Sequence, residues 1–334
     1  MRVAVRPTDD QQIEVARVDR AAGRLDTAAS RLRLISGESP LAAEARAELG
    51  FIALAEGRVE AAEQALRMAV SERLDFQPAR DELRWLYFNT FRVREVERLL
   101  EAWLELHPDD FRSLLDLHFA EFRRQLPREG RPFLERLESQ QPGQLAVLRG
   151  LAYCDWQAGD AGSARDRFAQ AVDRAPTDVE TRLLAAEFAL EQGWSELSRA
   201  LLDVSDKAFL AQAEADDRWW GVRGRLARSA GQAAEAVALL ANAIERRPRE
   251  SGWRQERGLA LRDLGRAAES AADLGMAVRL EQAKAEMANL VFSGRLEDPD
   301  RATIEQMAGL CEQRGQRVAH RCWFLWSQRA AGSR

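Results

Sequence analysis

The chain has 334 residues, 46% of them hydrophobic and 31% charged, with a formal net charge of −5. That balance excludes a basic nucleic-acid footprint, and 21 glycines with 10 prolines are too few for a low-complexity, disordered chain. No stretch approaches the roughly 18 apolar residues of a membrane span, and Met1 to Gln12 carries arginines without an apolar core, so no secretory signal is read there and a cytoplasmic location is expected.

From the N-terminus onward the same residue types return about every 34 residues. Pro40, Pro108, Pro142 and Pro176 lie on one such grid, with Leu74 in the slot between the first two. Phe51, Trp85, Phe119 and Tyr153 lie on a second. The units so marked are 9–42, 43–76, 77–110, 111–144, 145–178, 179–212, 217–250 and 251–284. Each reads as two helices. Gly23, Gly57, Gly159, Gly193, Gly231 and Gly265 fall where the first helix must end, since a left-handed residue there is cheapest without a side chain. The stripe Val18, Ile52, Leu86, Ala120, Cys154, Phe188, Leu226 and Ala260 is apolar throughout and predicts a buried helix face.

Three places depart from the pattern. In 111–144 Gln125 replaces the turn glycine, and Pro127 and Pro132 predict a second helix that starts late. Extra residues at Ala213 to Asp216 predict an added helical turn or a longer loop. Residues 285–300 predict a short helix followed by a loop from Ser293-Gly294 to Pro299, before a last helix pair at 301–330.

With the register fixed by Pro176, the sequence resembles the tetratricopeptide repeat family, whose pattern is Trp-x2-Leu-Gly-x2-Tyr, Ala-x3-Phe, Pro. Leu148, Leu151, Ala152, Gly159, Ala164, Phe168, Ala171 and Pro176 carry the match in one repeat. Trp220, Gly224, Gly231, Ala236, Leu240, Ala243 and Pro248 carry it in another. The resemblance implies an all-α, right-handed α-solenoid of about nineteen helices, forming one superhelical domain over residues 1–334. It also implies that first helices line a concave groove. The family's lysine and asparagine clamp for chaperone tails is absent.

In that groove the resemblance places Phe51, Trp85, Phe119 and Tyr153, with Phe88, Phe122 and Trp156 one turn on, and Asn89, Arg123 and Gln157 beside them. The rings read as a ligand-facing ladder or as mutual packing. Arg225, Arg228 and Arg262 follow as possible anion contacts, because guanidinium forks suit carboxylate or phosphate. Trp323, Phe324 and Trp326 form an apolar run suited either to self-association or to capping the core. Trp219 and Trp253 are expected in the core.

Cys154, Cys311 and Cys322 have no metal or disulfide spacing, and His107, His118 and His320 have no catalytic companion at a helical spacing. No nucleotide, zinc-protease or nucleophile-elbow motif occurs. The expected function is therefore a non-enzymatic scaffold or adaptor, without metal or cofactor, that binds a partner protein or peptide. The alternatives are a small-molecule or glycan binder, and a structural subunit assembling through its terminal repeats. No nucleic-acid partner is expected.

Overall fold

The computed structural model describes residues 7–123 and 127–332, in which nineteen α-helices and no strand occur. In chain order the first ten are α1 (Asp9–Ala21), α2 (Leu25–Leu32), α3 (Ala42–Ala55), α4 (Val59–Glu72), α5 (Gln77–Asn89), α6 (Val93–Leu106), α7 (Phe111–Arg123), α8 (Pro127–Gln140), α9 (Leu145–Gln157) and α10 (Ala161–Arg174). The rest are α11 (Val179–Glu191), α12 (Ser195–Leu202), α13 (Lys207–Ala213), α14 (Asp217–Ser229), α15 (Ala233–Arg246), α16 (Ser251–Asp263), α17 (Ala267–Phe292), α18 (Arg301–Gln313) and α19 (Arg317–Gly332). The fold is all-α, of the α-solenoid class.

Small residues set the spacing within pairs. A methyl group added at Gly50, Gly224 or Gly258 would lie 2.7, 2.6 or 2.8 Å from Cγ of Leu66, Leu240 or Leu274. The pairs α3–α4, α14–α15 and α16–α17 are therefore closer than an alanine would allow. Where the turn between first and second helix is described, the chain passes through a left-handed residue. At Gly57, with φ of 74°, the Arg58 N–H reaches the Ala53 carbonyl at 2.8 Å, and the Gly57 N–H reaches Leu54 at 3.0 Å. The same turn after α5 is made by Phe91, at φ 56°, with Arg92 N–H to Tyr87 carbonyl at 2.9 Å.

Several expectations need correction. α8 begins at Pro127, in step with the other second helices rather than late. Proline fits the first helical position because the N–H it lacks would have no partner there. Gln125 lies outside the described residues. No short separate helix follows repeat eight: α17 runs without a break from Ala267 to Phe292, since Gln282 stands where a proline would stop it. The expected loop does follow. Near Ala213 the extra residues are taken up by a break at 203–206, where Asp206 caps α13 by accepting from the Phe209 N–H at 2.7 Å. Val18 is exposed, because no described helix covers that face of α1, while the other seven residues of its stripe are buried.

The chain divides into two compact units. The first comprises residues up to 99 together with 123–154. Ile13, Ala16, Ala28, Leu32 and Ile52 begin its core, and Leu66, Leu83 and Leu86 continue it. Its α8–α9 connection returns onto the α3–α4 turn: the Gln144 side chain donates to the Gly57 carbonyl at 2.7 Å and accepts from the Val59 N–H at 2.6 Å. The Leu145 N–H donates to Glu60 at 2.7 Å. A solenoid whose repeats touch only their neighbours has no such contact.

The second unit comprises 100–122 and the residues from 155 on. Leu183, Phe209, Trp219 and Val222 form one core cluster, and Leu240, Ala243 and Trp253 another. Trp219 and Trp253 are both buried, as expected. The Trp253 indole donates to Asp217 at 2.7 Å and lies flat on Gly221, where a methyl group would meet the ring at 2.5 Å. Arg218 is buried between Glu180 and Asp216, donating to them at 3.0 and 2.8 Å.

Candidate binding faces

In the first unit the candidate aromatics sit on α3 and α5, both first helices. Trp85 is 41% exposed and meets the edge of Phe133 on α8 with ring centroids 4.8 Å apart. Phe51 and Phe88 are half-buried. The Arg20 guanidinium lies 5.4 Å from the Phe51 ring centre and that of Arg84 lies 6.0 Å from Phe88, distances at which a cation is attracted to the ring face. Asn89 donates to the carbonyl of Trp85 at 2.8 Å, tying its amide to its own helix.

Tyr153 is not part of that face. It is 6% exposed and packs on Phe91 at 5.4 Å. The four-ring row expected from the sequence therefore breaks at its last member, because the side chain that closes the α5 turn buries it. Around the rings, Arg17 and Arg20 both donate through Nε to Glu48, at 2.7 and 3.0 Å, and Arg17 also reaches Glu14 at 2.6 Å. Burial pushes the Glu82 carboxyl above its usual range, with Arg20 pulling partly the other way.

In the second unit Phe119 is 41% exposed and stands edge-on to Phe292 at 6.1 Å. Phe122, expected in the groove, is 1% exposed and also packs on Phe292, at 5.8 Å. Trp156 is half-buried against Phe188 at 5.6 Å, and Gln157 is exposed. The Arg123 side chain lies outside the described residues. Arg225 and Arg228 share one carboxylate, that of Glu256, at 3.3 and 2.9 Å. Arg262 is exposed.

Trp323 is fully buried and does not belong to an association patch. Its indole donates to His118 Nε2 at 2.8 Å, and Phe111 stands edge-on to it at 5.6 Å. Trp326 lies 5.0 Å from Phe111. Only Phe324 of the three is exposed. Beside them Arg314 forms a bidentate pair with Glu121, one of whose bonds is 2.7 Å, and Gln316 donates to the same carboxylate at 3.2 Å. Burial is the largest single influence on Glu121 and opposes its ionisation, but the Arg314 hydrogen bonds together with the charges of Arg314, Arg249 and Lys284 outweigh it and lower the carboxyl to about 2. Burial lowers His118 to about 4.

Phe133, Phe292 and Arg314 escape a reading by repeat period, since each lies off the first-helix grid. One signal for Arg314 was present. Glu121 occupies a helix position that is apolar in most repeats, so it required a cation. Asp155 occupies the same position one repeat on and is answered by Arg167.

The three cysteines are buried. Burial raises the Cys311 thiol and pushes Cys322 up to about 11. Among the described residues no cluster of three or more His, Cys, Asp or Glu side chains is arranged to hold a metal, and no helix is long and apolar enough to cross a membrane.

The sequence model of the tetratricopeptide repeat matches residues 14–78 and 222–286. No curated protein matches the sequence. Similar solved structures include a tetratricopeptide repeat protein from Parabacteroides merdae, 14% identical, covering 76% of this chain and 98% of that one with a TM-score of 0.39. The APC/C hetero-tetramer Cut9-Hcn1 is 12% identical, with 89% and 59% covered and a TM-score of 0.48. YrrB, a TPR protein with an unusual peptide-binding site, is 12% identical, with 55% and 92% covered and a TM-score of 0.37. Tetratricopeptide repeats are thus shown at residues 14–78 and 222–286, and helix pairs recur in the same register around them.

Proposed function

We propose that the chain is a non-enzymatic scaffold that holds a segment of a partner protein on its first-helix faces. The observation that carries this reading is Trp85, left 41% exposed on α5, the helix that also carries half-buried Phe88, with half-buried Phe51 on α3. A large ring costs free energy to leave in water, and tryptophan is prominent among the residues that dominate protein interfaces. Phe133 packs against part of the indole, and the rest of the ring is left for a ligand.

The test replaces Trp85 with a photoreactive phenylalanine and irradiates the chain in lysate of its native host. A protein crosslinked at position 85, and captured less well by Trp85→Ala, supports the reading. Capture that is indifferent to Trp85→Ala, with no crosslink at that position, overturns it.

A further inference from the structure

The chain contains its own comparison. Repeats one and two (9–42 and 43–76) and repeats seven and eight (217–250 and 251–284) share an Arg-x-x-Arg pair on the first helix and a glutamate on the next first helix. In the first unit these are Arg17, Arg20 and Glu48; in the second they are Arg225, Arg228 and Glu256. Both forks are built alike, each arginine giving its Nε side to the shared carboxylate.

Their surroundings differ in one direction. In the first fork Glu14 supplies a second carboxylate to Arg17, and the Phe51 ring lies beneath Arg20. Two arginines there face two glutamates. In the second fork the place of Glu14 is taken by Val222, which is buried, and that of Phe51 by Leu259. The place of Leu54 is taken by Arg262, exposed and without an ion-pair partner among the described residues. Two arginines there share one glutamate, and Arg262 adds a third, exposed guanidinium on α16. Asp263 follows Arg262 in the chain and makes no ion pair with it.

A guanidinium carries five N–H donors, and Glu256 meets only the Nε edge of Arg225 and Arg228. Both side chains stay partly exposed, so the remaining donors are open to an approaching anion. We propose that Arg225, Arg228 and Arg262 receive a carboxylate-bearing, acidic segment of the partner protein, which supplies the acid that Glu14 supplies to the first fork. This deepens the scaffold reading and rests on it, but the residues lie in the other unit from Trp85.

The probe is an acetylated, amidated hexaglutamate peptide carrying a fluorophore, followed by anisotropy with the full chain at low salt. Binding should weaken by roughly tenfold or more in an Arg225→Gln, Arg228→Gln variant, as loss of charge-assisted hydrogen bonds implies. It should also weaken as salt is raised, since exposed charges are screened. An Arg17→Gln, Arg20→Gln variant should bind as wild type does. Glu256→Gln, which removes the competing carboxylate without emptying the site, should bind more tightly.

Absence of binding, equal loss in both double variants, or weaker binding by Glu256→Gln would overturn the assignment. So would equal affinity for a short single-stranded oligonucleotide of matched charge. Unchanged crosslinking at position 85 in the Arg225→Gln, Arg228→Gln variant separates failure here from failure of the scaffold reading.

Discussion

The Trp323 indole N–H donates to Nε2 of His118 at 2.8 Å, inside the second unit. An accepting Nε2 places the proton of the neutral imidazole on Nδ1. Protonating the ring would turn the acceptor into a donor and break the bond.

This makes the second unit acid-sensitive in a definite window. His118 is lowered from its ordinary value of 6.5 to about 4, chiefly by burial, with Glu121 opposing and Arg314 and Arg249 adding to the shift. The folded state thus favours neutral imidazole. Its contribution is complete above about pH 6.5 and declines as the pH falls toward 4, by about 3 kcal/mol in all. Glu121, lowered to about 2, adds a further loss below about pH 4.5. Urea denaturation at several pH values should show the decline between pH 6.5 and 4.5 in wild type. A His118→Gln variant should be flat over that interval; an identical slope would remove His118 as its source.

The Arg314–Glu121 pair is nearly buried, with side-chain exposures of 2% and 12%. Removing one partner strands the other charge, so Glu121→Gln or Arg314→Met alone should cost about 3–5 kcal/mol. Replacing both with apolar residues of similar volume should cost much less. A double-mutant cycle by denaturant titration reads the difference directly, and additive losses would mean that the two side chains do not act as a pair.

Tyr153 and Trp85 stood on the same grid in the sequence and should behave oppositely. Tyr153→Ala empties a buried site against Phe91 and should lower stability by about 3–5 kcal/mol. Trp85→Ala should cost less stability, because much of its ring already meets water, and should weaken partner capture instead. Melting curves and capture run on both variants distinguish the two roles.

Phe91 occupies a left-handed turn position that suits glycine, at a backbone cost of roughly 1–2 kcal/mol. Its ring offsets this by packing on Tyr153 in the core. Both Phe91→Ala and Phe91→Gly lose the ring, but only glycine relieves the backbone. Phe91→Gly should therefore be the more stable of the two by about 1 kcal/mol, the reverse of the order within a helix. Chemical denaturation of the two variants is sufficient to check it.

The helix boundaries were legible because they depend on local chemistry. Gly57 or Gly231 can end a helix, and Gly224 can admit Leu240, whatever lies farther along the chain. The absence of a stop signal at Gln282 was equally local, but it is visible only as a missing proline and was read as a boundary. The faces were less legible. A repeat period reports what each helix does to its neighbours. Trp85 meets a second-helix ring of the next repeat, Phe133, while Phe119 meeting Phe292 and His118 meeting Trp323 are contacts between segments that are not adjacent in sequence. No spacing within one repeat encodes them. Glu121 shows the limit: its polarity at an apolar position announced a partner without naming Arg314.

The burial of every cysteine gives each unit an internal clock. Cys154 belongs to the first unit, and Cys311 and Cys322 to the second, on α18 and α19. A thiol reagent reaches each only when its surroundings open, so the modification rate at each sulfur reports local opening. Matching rates at all three would mean that the chain unfolds as one body. A faster rate at Cys311 and Cys322 would mean that the last helix pair detaches first, with the untouched Cys154 marking the molecules in which the first unit stayed closed.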